Sequence, residues 1–189
     1  MPVISTAQFR NGLALKLDGQ TFTLVEFQHV KPGKGGAFVR TKVKRLSDGA
    51  VIERTFRAGE KFESSEIRTK LHQYLYTNGE HVVVMDPETY EQIELPAALL
   101  GDDMGFLAPN GDLEVLFVDG APQDLTLPNF VELTVTSTEP GVKGDTVQGV
   151  TKPATLETGG VVQVPIFVNE GDRLKIDTRQ RSYVTRVTS

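Results

Sequence analysis

Cysteine is absent from the 189 residues, which removes disulfide frameworks, thiolate zinc sites and cysteine nucleophiles together. A reducing compartment fits that absence. No apolar run approaches the ~20 residues that cross a bilayer as a helix. The start, Met1-Pro2-Val3-Ile4-Ser5-Thr6, lacks the basic segment and apolar core of a signal peptide. A soluble, cytoplasmic protein with no membrane partner is expected.

Catalytic signatures are missing as well. The chain has no Gly-x-Ser-x-Gly elbow, no His-Glu-x-x-His and no Gly-x-Gly-x-x-Gly turn opening a helix. The three histidines, His29, His72 and His81, have no metal-ligand spacing and read as ordinary surface or barrel residues. The many carboxylates in the middle of the chain read as an acidic surface rather than a general-acid pair. No catalytic residue, metal site or cofactor is therefore expected.

What is present is unevenly charged. The net charge of −5 divides into +5 over residues 1–64, −10 over 65–126 and 0 over 127–189. Phosphate contacts need clustered Lys and Arg, so the whole-chain value argues against nucleic acid while the basic first third argues for it. The pattern suits a protein that meets RNA at selected points and is otherwise repelled by it. Few phosphate contacts are expected from the acidic middle, whose role would be spacing and protein contact.

Short alternating or β-branched runs separated by Gly, Asn, Asp and Pro recur from end to end, the pattern of small all-β units. In the first third, strands are expected near Leu13–Leu17, Thr21–Val30, Ala37–Leu46 and Ala50–Phe56, with turns at Asp18-Gly19, Pro32–Gly36 and Ser47-Asp48-Gly49. These suffice for an SH3-like barrel. The middle third offers Lys70–Tyr76, His81–Asp86, Tyr90–Leu95, Leu113–Val118 and Ala121–Leu127, with one short helix at Pro96–Leu100. Five strands match an OB-type barrel. The last third offers Phe130–Thr138, Val161–Val168, Leu174–Thr178 and Tyr183–Val187. Domains are expected over 1–64, 65–126 and 127–189, joined without long flexible linkers.

The most informative local feature is Lys31-Pro32-Gly33-Lys34-Gly35-Gly36-Ala37-Phe38, a lysine among glycines at a hairpin tip. Glycines let a tight loop bring backbone and one long cation close to another molecule. On spacing alone, a glycine hairpin turn with a solvated lysine is the plainer reading. The glycine spacing and following helix of a phosphate-binding P-loop are missing. Beyond the tip, Phe38, Arg40, Lys42 and Lys44 share one strand face at period two, a candidate phosphate-tracking stripe or simply a solvated face. Arg181 and Arg186 flank Tyr183 as further candidate RNA contacts. Between them in the chain, Pro140–Thr146 with Val147–Thr158 reads as a long glycine- and threonine-rich loop, either functional or a floppy surface feature.

The run Lys152-x-Ala154-x4-Gly159-x2-Val162-x-Val164-Pro165-x2-Val168-x2-Gly171 resembles the signature of elongation factor P, and Lys31-Pro32-Gly33-Lys34-Gly35 resembles that family's N-terminal tip. Glu53–Phe56, Gln73–Tyr76, Pro128–Leu133, Gly144-Asp145-Thr146 and Ile176–Val187 are also similar to family segments, so the resemblance spans essentially the whole chain. It implies three small β-barrels, an SH3-like (KOW-like) one followed by two OB-like ones, in an elongated L that mimics transfer RNA. It further implies a monomer that binds the ribosome between the P and E sites beside peptidyl-tRNA and relieves stalling at consecutive prolines.

By the same resemblance, Lys34 assists ribosomal peptidyl transfer and is a target for a modifying enzyme that adds an extension such as β-lysine or an aminopentanol group. Gly144, Asp145 and Thr146 would approach E-site messenger or transfer RNA. The RNA-binding set is then Lys31, Lys34, Arg40, Lys42, Lys44, Gly144, Asp145, Thr146, Tyr183 and Arg186. An elongation factor P-like paralogue usually carries Arg at the tip, which Lys34 does not match. A small-ligand-binding β-barrel remains the alternative from another class, and would need a polar cluster that the chain does not display.

Overall fold

The computed structural model describes residues 2–141 and 149–188, and they form sixteen strands with three short 3-10 segments and no α-helix. Two compact units emerge: Met1–Arg68 with Phe117–Ala121, and Thr69–Leu116 with Pro122–Ser189. The all-β expectation holds.

In the first unit the strands are β1 (Val3–Ser5), β2 (Ala14–Leu17), β3 (Gln20–Val30), β4 (Phe38–Arg45), β5 (Val51–Arg57) and β6 (Lys61–Ser65), ordered β1-β6-β2-β3-β4-β5. Alternation does the sorting. Along β4, Val39, Thr41 and Val43 turn inward while Arg40, Lys42 and Lys44 face solvent. Val39 and Val43 join Phe9, Leu15, Leu17, Phe22, Leu24, Phe56 and Phe62 in one core. Phe9 meets Phe27 and Phe56 edge-on, at centroid separations of 6.3 and 6.1 Å, the arrangement that aromatic quadrupoles favour. The bulge between Leu24 and Glu26 marks the point where the long β3–β4 ribbon shifts register.

The next strands are β7 (Ile67–Thr77), β8 (His81–Met85), β9 (Gln92–Pro96), β10 (Asp112–Val118) and β11 (Ala121–Thr126), in the order β11-β10-β7-β8-β9. Val82, Val83 and Val84 are consecutive and all buried, so β8 is covered on both faces. The last sheet comprises β12 (Phe130–Thr138), β13 (Thr151–Leu156), β14 (Val161–Pro165), β15 (Arg173–Asp177) and β16 (Ser182–Arg186), ordered β14-β13-β12-β15-β16. Leu133, Val135, Ala154, Leu156, Val162, Val164, Leu174 and Ile176 line its interior.

Two sequence expectations need correction, and two strands were missed. The helix expected at Pro96–Leu100 is a 3-10 turn over Ala97–Leu99, followed by a second over Gly101–Phe106; Gly101 at φ 51 separates them and prevents a continuous α-helix. The loop expected over Val147–Thr158 contains β13. Its inward positions are Lys152, Ala154 and Leu156, and Pro153 lies between them, so neither the apolar alternation nor the strand composition is visible in the letters. Strands β1 and β6 were not expected. They are short, and pair with each other through Val3↔Glu63, Ile4↔Phe62 and Ser5↔Lys61.

Candidate functional site

The β3–β4 hairpin closes at Val30↔Phe38, leaving residues 31–37 as its tip. Residues 31–36, including Lys31 and Lys34, are all exposed. Gly35 adopts φ +105, where an L side chain is strained, whereas Gly33 and Gly36 have ordinary φ and open space around them. Among the described residues, Lys34 makes no hydrogen bond or ion pair. Two cations, Lys31 and Lys34, thus stand at the end of an ordered ribbon, and Lys34 has no partner among the described residues.

The stripe behind the tip is real in geometry and unequal in charge. Arg40 lies opposite Gln28 and Thr55 and packs its guanidinium 5.6 Å from the centre of the Phe38 ring. Lys42 stands between Glu26 and Glu53, with its Nζ 2.9 Å from Glu26 Oε2. The hydrogen bond that Lys42 donates to Glu26 and the charge of that carboxylate, with Glu53 adding, hold the Lys42 ammonium above its ordinary range. Lys44 pairs across to Val51 and remains exposed. A shallow groove of about 360 Å³ runs over this face, lined by Glu26, Gln28, Arg40, Lys42, Glu53 and Arg54. Arg40 and Lys44 therefore present charge that Lys42 largely spends on its neighbours.

In the last sheet, β16 carries the other candidates. Tyr183 is half-buried opposite Ile176, and Arg186 is exposed, 3.4 Å from Asp172 Oδ2 and 5.4 Å from the centre of the Phe167 ring. Arg181 is occupied elsewhere: it donates to Asp102 and Asp103, which hold its guanidinium above the ordinary arginine value, Asp103 foremost. Gly144, Asp145 and Thr146 lie outside the described residues. Buried Lys152 of β13 donates through Nζ to the carbonyl of Glu139, the residue after β12, at 2.5 Å.

Sequence reasoning missed an exposed aromatic, Phe130, with Lys175 Nζ 4.8 Å and the Arg179 guanidinium 5.5 Å from its ring centre. The two cations lie far from it in the chain, and no local pattern would have found the cluster. His29 is exposed, His72 is buried with Nδ1 3.2 Å from the Lys70 carbonyl, and His81 is half-buried. Among the described residues, no three His, Cys, Asp or Glu side chains gather as a metal would require. Among the described residues, no helix is long and apolar enough to cross a membrane.

Comparison with known proteins finds three family models along the chain. Residues 5–62 match the family model of the elongation factor P KOW-like domain, 67–125 that of the elongation factor P OB domain, and 131–186 that of the elongation factor P C-terminal region. The chain is 54% identical over 185 residues to elongation factor P of Pelotomaculum thermopropionicum, covering 98% of this chain and 100% of the relative. It is 52% identical over 185 residues to that of Mycolicibacterium vanbaalenii, covering 98% and 99%. Among solved structures, a eukaryotic translation initiation factor 5A from Methanococcus jannaschii superposes with a TM-score of 0.54 at 28% identity, covering 67% of this chain and 92% of that one. A translation initiation factor eif-5a family protein from Naegleria fowleri shares the fold at a TM-score of 0.52 and 14% identity, covering 67% and 98%. The KOW-like and OB assignments follow, and the chain belongs to the elongation factor P family, whose members are translation factors and not enzymes.

Proposed function

We propose that this cytoplasmic translation factor binds the ribosome between the P and E sites, beside peptidyl-tRNA, and speeds peptide-bond formation where consecutive prolines stall it. The observation that carries the reading is the exposed Lys34 at the end of an ordered β-ribbon. The chemistry stays with the ribosome. A cation placed beside the CCA end occupies space and offers hydrogen bonds to RNA backbone, which holds the reactants in a productive geometry.

The proposed division of labour follows the domains 1–64, 65–126 and 127–189. The first domain carries the tip and anchors on RNA through Lys31, Arg40 and Lys44, with Lys42 a weaker contributor. The acidic second domain makes few phosphate contacts. The third meets RNA through Tyr183 and Arg186, and through Gly144-Asp145-Thr146 at E-site messenger or transfer RNA. Asp145 can accept from base amino groups, and Thr146 can donate and accept. The factor acts as a monomer, and the exposed Lys34 amine is accessible to a modifying enzyme.

A reconstituted translation system tests the function. Adding the full chain should raise the rate of Pro-Pro bond formation on a proline-run message, and the chain should co-sediment with ribosomes that hold peptidyl-tRNA. Equal rates with and without the protein would overturn the reading.

A further inference from the structure

One short segment receives two separate hairpin turns. The 3-10 segment Gly101–Phe106 spans 6 residues of the second unit and carries Asp102, Asp103 and Gly105. The turn between β15 and β16 reaches its first half: Arg181 Nε donates to Asp103 Oδ1 at 2.9 Å, and Nη1 donates to Asp102 Oδ2 at 3.1 Å. The turn between β13 and β14 reaches its second half. There the Gly160 N–H donates to the Gly105 carbonyl at 3.1 Å, and Thr158 Oγ1 donates to the same oxygen.

The fit at the second contact leaves no room for side chains. A Cβ on Gly160 would lie 2.3 Å from the Gly105 oxygen, and one on Gly105 would lie 2.9 Å from Gly160 Cα. Both atoms met are backbone, so neither can swing aside. The first contact is built with similar specificity, since Arg181 holds φ 50, a left-handed conformation uncommon for a residue with a side chain. That conformation closes the turn immediately before β16, in the residue whose guanidinium meets the acidic pair.

A single point of contact leaves two sheets free to swivel about it. Asp102 and Gly105 are three residues apart, about 6 Å of 3-10 rise, so two grips at those points oppose rotation as well as separation. We propose that Gly101–Phe106 is the seat of a two-point clamp that fixes the C-terminal sheet on the central one. Arg181 is a positioning residue for Tyr183 and Arg186, the candidate RNA contacts of the strand it precedes. This last role rests on the proposed function, whereas the clamp stands on geometry alone. It also gives Asp102 and Asp103 an inward task that a purely repulsive acidic surface would not need.

The test uses the intact chain and backbone residual dipolar couplings, with native chemical shifts inside each sheet confirming that the variants fold. In the wild type, the central and C-terminal sheets should fit one alignment tensor. Arg181→Ala and Gly160→Val should each split it into two, and Arg181→Glu combined with Asp102→Lys and Asp103→Lys should restore one. If Gly160→Val does not fold, Thr158→Val removes one of the two donors to Gly105 without adding bulk. One shared tensor in Arg181→Ala together with either seam variant overturns the clamp.

Ribosome affinity decides the positioning role. Arg181→Ala should weaken it by roughly two- to fivefold, the worth of an exposed ion pair, and the charge-swapped triple variant should recover it. A split tensor with unaltered affinity overturns that role, as does a restored tensor without restored affinity. A wild-type chain that fails to bind ribosomes overturns the proposed function, while the dipolar couplings still decide the clamp.

Discussion

Glu26 stands directly opposite Lys42 in the β3–β4 register, and its Oε2 lies 2.9 Å from the Lys42 Nζ. Glu53 faces the same lysine from β5. The three-cation stripe that period-two spacing suggests is therefore interrupted at its centre. Arg40 and Lys44 keep their charge available, and Lys42 does so only when its neighbours are neutral.

That arrangement predicts opposite effects from two single substitutions. Arg40→Ala should lower the slope of log affinity against log salt by about one unit, as loss of one phosphate contact does. Glu26→Gln should strengthen ribosome binding and steepen the same slope, because it removes a repelling charge and frees Lys42. A salt titration of both variants checks the pair. Unchanged slopes in both would take this face away from RNA.

The tip makes a prediction about its own glycines. Gly35 alone of the three holds φ +105, so Gly35→Ala should cost about 1 kcal/mol or more in folding free energy, while Gly33→Ala and Gly36→Ala should be nearly neutral. Denaturant melts of the three variants check the order. Because all three positions are exposed, the loss at Gly35 would report backbone strain rather than packing.

Acid should unfold the protein through a small set of aspartates. Asp86 is held below its ordinary value of 3.8 mainly by the amide of Glu88, Asp119 by the amide of Glu66, and Asp177 by the Arg179 side chain. A depressed folded-state value contributes stability that is complete above the unfolded value and is lost as pH falls through the folded one. Stability should thus be flat near neutrality and decline below about pH 4. Asp86→Asn should lower the neutral-pH melting temperature and flatten the acid decline. A variant whose acid limb matches the wild type would acquit Asp86.

The parts of the fold that are legible in the letters are those set by local chemistry. Asp18-Gly19 and Asp119-Gly120 read as hairpin turns, and all four residues adopt the positive φ that such turns demand. The outward face of β4 was equally plain, since alternation fixes it before any partner is known. What the letters hid depends on distant chain segments. Lys152 and Pro153 disguise β13, whose strand pairing is supplied by β12 and β14 on either side. Arg181 and Asp102 are 79 positions apart, so a cation that reads as an RNA contact proves to be gripping its own chain. The inequality of Arg40 and Lys42 likewise needs the register that places Glu26 and Glu53 beside one of them.

Lys34 should separate activity from binding. If the first domain anchors on RNA as proposed, Lys31, Arg40 and Lys44 remain to hold it when the tip cation is lost, so affinity should fall by no more than one solvated contact is worth. On the proposed function, the tip cation has no substitute in this domain, because among the described residues Lys34 is the one cation beyond the last strand pair with glycine on both sides. Its loss should slow Pro-Pro bond formation by about tenfold or more, equivalent to about 1.4 kcal/mol of transition-state stabilisation. Lys34→Ala in a reconstituted system, with ribosome binding and bond-formation rate measured on the same preparation, compares the two. Equal loss of both would make Lys34 one more phosphate contact, and an unchanged rate would remove it from the mechanism.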